Sequence, residues 1–308
     1  MKFTIFTGCY NSSNFIERVF KSIKNQIYKD FEWIVIDDAS KDNTVKLLQQ
    51  FKKENSDLDM KIIVLDKNVG VAENRRKAIN MAIGDLFVTW DHDDEQLPNQ
   101  LLVFKDAWSK FGNHNVANVF AFCCDQNNNL RGEKFPKGDH VSNYFKYYKK
   151  YFMSNIVKQE KHVCTSVSIL KNQVNYKFLE GYSPNGEILW AKIALDYDSI
   201  FVNTPVRIYY IEDSSSNNMS SVSRSEAADN IYRVKNIWVN HFIKKMTSEP
   251  LLILRLYFAQ AFYGFLSKRS LIKIVNDTKG NINKFMILIV SIPARLLLLK
   301  MQITNKGL

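Results

Sequence analysis

The sequence predicts an α/β protein built on a mostly parallel sheet with helices on both faces, followed by a helical region of different character. Three observations carry this. Short, nearly continuous apolar runs alternate with amphipathic helical patterns through the first hundred residues, which is how strands buried on both faces read. Acidic and small polar residues stand at the end of each apolar run. Strand patterns give way after about residue 225 to long apolar runs punctuated by Lys and Arg.

In chain order, Phe3-Thr4-Ile5-Phe6 reads as a buried strand, and Asn11-Ser12-Ser13-Asn14 as a helix start. Ile16, Val19, Phe20, Ile23 and Ile27 then fall at helical spacing. Phe31 to Ile36 is a second strand. Ser40-Lys41-Asp42-Asn43 caps a second helix carrying Val45, Leu48 and Phe51. Lys61 to Leu65 is a third strand, Asn68-Val69-Gly70 a loop, Val71 to Ala82 a third helix and Leu86 to Trp90 a fourth strand. Later in the chain, Val119 to Cys124 reads as a strand. Phe201-Val202 and Val206 to Tyr210 read as strands broken by Pro205, and Glu212 to Arg224 as a polar loop.

The 308 residues fit one large domain with an appendage, and 46% apolar with 24% charged residues is globular composition, which excludes disorder. The net charge of +11 suits an anionic partner: nucleic acid, a membrane surface or a phosphorylated ligand. Cys9, Cys123, Cys124 and Cys164 lack the paired spacing of a zinc site and read as buried thiols of a reducing, cytoplasmic compartment. The apolar run after Lys2 is too short for a secretory leader. No run reads as a membrane span: Leu251–Leu266 and Phe285–Leu299 are short or interrupted.

In a parallel sheet, ligands bind beyond the carboxyl ends of the strands. The four exits carry Gly8-Cys9-Tyr10-Asn11, Asp37-Asp38-Ala39-Ser40, Asp66 with Asn68 and Gly70, and Asp91-His92-Asp93-Asp94. Neither a dinucleotide glycine fingerprint nor a phosphate-binding glycine-lysine loop is present. Three carboxylates within four residues repel one another unless a cation is present, and oxygen donors suit Mg²⁺ or Mn²⁺. A solvated acidic turn is the plain alternative. Asp38 reads either as an acceptor for a nucleobase or ribose, or as a cap. Tyr10 reads as a base-stacking ring or an ordinary aromatic. Arg75 and Arg76 lie on the third helix with one facing the ligand.

These residues resemble, in order and spacing, family-two inverting glycosyltransferases of the GT-A fold, a Rossmann-like mostly parallel sheet. The motifs are Thr4 to Asn11, Val35 to Thr44, Asn68-Val69-Gly70, Arg75 and Trp90 to Asp94. Phe178-Leu179-Glu180 and Pro184-Asn185-Gly186-Glu187 resemble the acceptor-side acidic motif, and the likeness covers roughly residues 1–212. The resemblance implies transfer of a hexosyl or N-acetylhexosaminyl group from a nucleotide-sugar, usually a UDP-sugar. The acceptor would be a hydroxyl of a glycan or lipid-linked molecule in surface polysaccharide synthesis. It implies a Mn or Mg cation held by Asp93 and Asp91, and nucleotide contacts from Gly8, Tyr10, Asp38, Asn68, Arg75 and Asp91. Glu187 falls at the position of the catalytic base, with Glu180 the other candidate. Gly8-Cys9 replaces the family's usual proline-threonine pair.

The expected organisation is a catalytic domain over 1–225, its nucleotide-binding half 1–100 and acceptor half 101–225, followed by a helical region over 226–308. The tail, with Lys268, Arg269, Lys273, Lys284, Arg295 and Lys300 beside its apolar runs, suits either an anionic membrane surface or dimer packing. The expected location is the cytoplasm, peripheral at the inner face of the membrane. A nucleic-acid-binding or catalytically silent protein on this fold is the alternative, disfavoured by the acidic site and by the absence of a nucleic-acid motif.

Overall fold

The structure is a computed structural model that describes residues 1–135, 137–145, 161–173, 186–210, 224–247 and 250–303. The expectations for Glu180 and for the loop over 212–223 lie outside the described residues.

The first hundred residues fold as the pattern predicts. β1 (Phe3–Cys9), β2 (Phe31–Asp37), β3 (Met60–Val64) and β4 (Leu86–Thr89) are joined by α1 (Ile16–Asn25), α2 (Thr44–Glu54) and α3 (Val71–Met81). These strands pair in parallel in the order β3-β2-β1-β4, with Phe3 opposite both Phe31 and Leu86. β2 is buried at every position, because helices cover both faces. Phe3, Ile5, Trp33, Val35, Leu48, Val88, Trp90 and Phe104 form one core; each such side chain contributes about 1.5–3 kcal/mol by leaving water. Ser12 and Ser40 at the helix entries do a different job from the capping expected of them, whereas Asp42 meets that expectation. Ser12 Oγ accepts from the Tyr10 N–H and Ser40 Oγ from the Asn11 N–H, while Asp42 accepts from the Thr44 N–H at the start of α2.

The sheet then becomes mixed. β5 (Glu95–Gln96), α4 (Gln100–Phe111), β6 (Val116–Asp125), β7 (His140–Ser142), β8 (Lys161–Ser166), α5 (Val167–Gln173) and β9 (Asp198–Tyr209) follow, with α6 (Gly186–Ile193) before β9. β8 runs antiparallel to both β4 and β6, β9 runs parallel to β6, and β5 and β7 pair antiparallel with β9. Pro205 does not break β9. The pairing with β6 shifts register there, Phe120 facing Phe201 and Phe122 facing Pro205, so the irregular ladder accommodates a residue with no N–H to donate. All four cysteines are free and buried.

The rest is helical: α7 (Arg224–Ile237), a π-helical turn (Trp238–Phe242), a 3₁₀ turn (Ile243–Met246), α8 (Pro250–Leu266), α9 (Leu271–Asp277) and α10 (Asn281–Ile303). Here the structure corrects the sequence reading of the tail. α10 continues through Pro293, which stands at an exposed position where water can take up the carbonyl a proline leaves without a partner. Its stretch Asn281–Met301 is, by length and composition, long and apolar enough to cross a membrane.

The chain forms two compact units. The first comprises 1–146, 154–176 and 196–213; the second comprises 147–153, 177–195 and 214–308. This differs from a single cut at residue 225, because α6 groups with the tail helices.

Candidate active site

The strand exits of the first unit are tied together by backbone and by two buried carboxylates. The Asp38 N–H donates to the Cys9 carbonyl at 2.8 Å, joining the exits of β1 and β2. The Asp37 carboxylate accepts from the backbone N–H and the hydroxyl of Ser40. The Asp38 carboxylate accepts from the Val69 N–H with one oxygen and the Gly70 N–H with the other, both at 2.8 Å. Asp38, 4% exposed, thus fastens the Asn68–Gly70 loop to the exit of β2. This role did not show in the sequence. Gly70 has φ +87° and opens α3, a backbone conformation that favours glycine. Tyr10 and Asn68 are exposed at this edge. Gly8 lies in β1 opposite Ile36 and faces the Phe6 ring and Val71.

The acidic loop after β4 is organised by two arginines. Arg207 of β9 donates to Asp91 at 3.2 Å and to Asp94 at 2.7 Å, and its Nη1 lies 3.3 Å from His162 Nδ1. Arg207 and Asp94 are buried, whereas the Asp91 side chain is 45% exposed. Burial and the Arg207 charge push the His162 pKa well below the usual imidazole value, so a neutral ring accepts from the guanidinium. Arg18 of α1 donates to the Asp93 carbonyl at 2.8 Å and stacks over Tyr210, whose hydroxyl donates to Glu95. Arg75, one turn into α3, lies within reach of the Asp91 charge: burial lowers its pKa and Asp91 opposes that shift. His92 packs near Phe15.

The sequence reading assigned neutralisation of this cluster to a bound cation. Two of its three carboxylates, Asp91 and Asp94, instead share one protein cation, Arg207. Among the described residues the Asp93 carboxylate makes no hydrogen bond or ion pair. Sequence reasoning missed Arg207, Arg18 and Tyr210. The one signal for Arg207 was a lone cation inside the apolar run Val206-Arg207-Ile208.

The donor set fits Mg²⁺ or Mn²⁺ in one particular way. No group of three or more His, Cys, Asp or Glu that could hold a metal occurs among the described residues. The first unit therefore offers the Asp93 carboxylate and the half-exposed Asp91, leaving the other positions to water and phosphate oxygens, as Mg²⁺ commonly requires. Glu187 belongs to the second unit, in the first turn of α6; its side chain lies outside the described residues.

The sequence profile of Glycosyl transferase family 2 matches residues 4–177, more than half of the 308. The chain belongs to that family. This glycosyltransferase is 28% identical over 236 residues to the GalNAc(5)-diNAcBac-PP-undecaprenol beta-1,3-glucosyltransferase of Campylobacter jejuni, spanning 76% of this chain and 70% of that protein. Other curated relatives align over about 90–100 residues, less than two-fifths of their own length. Among solved structures, S. aureus TarS (residues 1–349) in complex with UDP-GlcNAc superposes with a TM-score of 0.60 at 16% identity, covering 96% of this chain and 89% of that one. Mannosyltransferase PcManGT of Pyrobaculum calidifontis, in complex with GDP-Man and Mn²⁺, gives 0.52 at 17% identity, covering 99% and 80%. At these identities the likeness establishes the fold, which is GT-A.

Proposed function

We propose that this glycosyltransferase moves a hexosyl or N-acetylhexosaminyl group, with inversion, from a UDP-sugar to a hydroxyl of a glycan or lipid-linked acceptor in surface polysaccharide synthesis. The observation that carries the reading is the asymmetry of the acidic loop: Arg207 pairs with both Asp91 and Asp94, while the Asp93 carboxylate has no protein partner among the described residues. A carboxylate held in place by its own carbonyl's bond to Arg18, with its oxygens available, suits a divalent cation. Asp93 would be the main ligand and Asp91 a second one. Such a cation supplies charge neutralisation on the departing diphosphate.

The chain's own residues account for the rest. Tyr10, the Asn68–Gly70 loop fastened by Asp38, and the backbone at Gly8 form the nucleoside side of the site. Arg75, next to Asp91, serves the phosphates. Inversion by a single displacement requires the acceptor hydroxyl to lose its proton as it attacks the anomeric carbon. Glu187 takes this proton in our reading, with Glu180 as the alternative. The acceptor reading draws on the relative whose name specifies a polyprenyl-diphosphate acceptor, and on the apolar face of α10; both favour work at the cytoplasmic surface of a membrane.

Asp93→Asn and Glu187→Gln test the assignment together. Asp93→Asn is expected to abolish transfer and weaken Mn²⁺ binding measured calorimetrically without acceptor. Glu187→Gln is expected to keep UDP-sugar binding and lose transfer. Wild-type transfer by Asp93→Asn overturns the metal role, and full transfer by Glu187→Gln with loss in Glu180→Gln moves the base to Glu180.

A further inference from the structure

In the second unit, a cleft of about 350 Å³ is lined by Phe265 at the end of α8, by Lys268, Arg269 and Ser270 in the turn to α9, and by Arg295 and Leu298 of α10. That volume lies within the range of small-molecule sites. Three cations converge there. Arg269 is committed, forming an ion pair with Asp229 and lying over the Tyr232 ring. Arg295 is held 5.2 Å over the Phe265 ring. Among the described residues, neither Lys268 nor Arg295 has a carboxylate partner. Lys268 also adopts φ +63° at the helix end, where glycine is the easier residue. A single carboxylate among three cations leaves the cleft positive.

The cleft opens beside an apolar stripe. Phe285, Leu288, Ile289, Ile292, Leu296 and Leu299 of α10 are all exposed, and at about 100° per residue they fall on one face. The opposite face, with Ile287, Val290, Ser291 and Ala294, is buried in the unit. A helix buried along one side and apolar along the other lies in an interface rather than crossing it. At 100° per residue, Arg295 falls on the flank of the stripe, where a cation meets headgroups while the stripe meets acyl chains.

We propose that this cleft binds the phosphate of an anionic phospholipid headgroup, with Lys268 and Arg295 as its ligands, while the α10 stripe enters the lipid interface beside it. This rests on the reading that the enzyme works at a membrane surface, and it adds a defined headgroup site to it.

Flotation of the full-length protein tests the site with vesicles of phosphatidylcholine alone and of phosphatidylcholine mixed with phosphatidylglycerol. The wild type is expected to favour the mixed vesicles. Lys268→Ala/Arg295→Ala is expected to partition about thirtyfold more weakly on them, the effect of two interfacial cations. Lys52→Ala/Lys53→Ala, which removes the same charge from exposed positions of α2, is expected to float like the wild type. Ile292→Ser/Leu296→Ser is expected to lose binding to both vesicle types. All the altered residues are exposed, so unchanged thermal melting is the fold control. A wild type that stays at the bottom with both vesicle types defeats the membrane reading and the site with it. A wild type that floats while Lys268→Ala/Arg295→Ala floats equally, or while both paired variants lose equally, defeats the headgroup site alone. Release by millimolar inorganic phosphate would mark a free-phosphate site and overturn the lipid assignment.

Discussion

Arg207 supplies the countercharge that the sequence suggested an ion would bring. It is nearly enclosed, 7% exposed, and bonds Asp94, 4% exposed, at 2.7 Å. Removing one partner of such a buried pair costs about 3–5 kcal/mol. Arg207→Met is therefore expected to lose roughly that much stability in urea unfolding, and Arg207→Met/Asp94→Asn to recover most of it; a single variant as stable as the wild type would show the pair to be of no structural consequence. Asp93→Asn is expected to change stability by less than about 0.5 kcal/mol, because no described partner is lost. This contrast separates the neighbouring acids by function. The carboxylates themselves were legible as a cluster, since Asp91, Asp93 and Asp94 are adjacent in sequence. Their countercharge was not, because Arg207 reaches them only when β9 pairs with β5, Arg207 opposite Gln96, more than a hundred residues away along the chain. The grip of Asp38 on Val69 and Gly70 spans far less chain and was hidden for another reason: a carboxylate accepting backbone N–H groups leaves no signature in composition or periodicity.

At the level of elements, the parallel half of the sheet was legible because strands buried on both faces must be apolar throughout, and Phe31 to Ile36 can satisfy no helical pattern. In the tail, the run Phe285–Leu299 read as interrupted, yet α10 continues through Pro293. Helix packing in the tail depends on a contact that no propensity scale contains. Gly264 of α8 sits against α9 and α7: a Cβ there would lie 2.6 Å from Ile274 Cδ1 and 3.1 Å from the Tyr232 ring. Ile274 is fully buried, so its side chain must shift within the packed interior to admit a methyl group. Alanine normally favours a helix interior over glycine by about 1 kcal/mol, yet Gly264→Ala is expected to destabilise by about 1–3 kcal/mol from overpacking. Adding Ile274→Val should restore part of the loss. A Gly264→Ala protein more stable than the wild type would mean that the α8–α9 contact is loose enough to absorb a methyl group.

The whole chain shows its charge in its composition but not its division into units, since the chain enters the second unit in three separate stretches and a boundary drawn from a composition change finds only the last. Net charge also hides how stability responds to acid, which depends on where the histidines stand. His162 is buried beside Arg207, and both effects hold its pKa well below the usual value. His241 shifts in the same direction, through burial and nearby lysines, but it is exposed and contributes weakly. In the unfolded chain His162 titrates near pH 6.5, whereas in the folded protein it stays neutral further into acid. Between those two values the unfolded state binds a proton that the native state does not, so stability rises with pH there and falls as pH drops below about 6.5. The slope for one such group approaches about 1.4 kcal/mol per pH unit. Glu32, Asp42 and Asp229, whose carboxyl pKa values are lowered by their partners, lose their contribution only at lower pH, which leaves the interval between about pH 5 and 6.5 to histidine. Urea unfolding across that interval should show the slope in the transition of the first unit, and His162→Gln should flatten it whatever it does to the absolute stability. A slope that persists unchanged in His162→Gln would assign the effect to another group and leave His162 able to take up a proton in the folded protein.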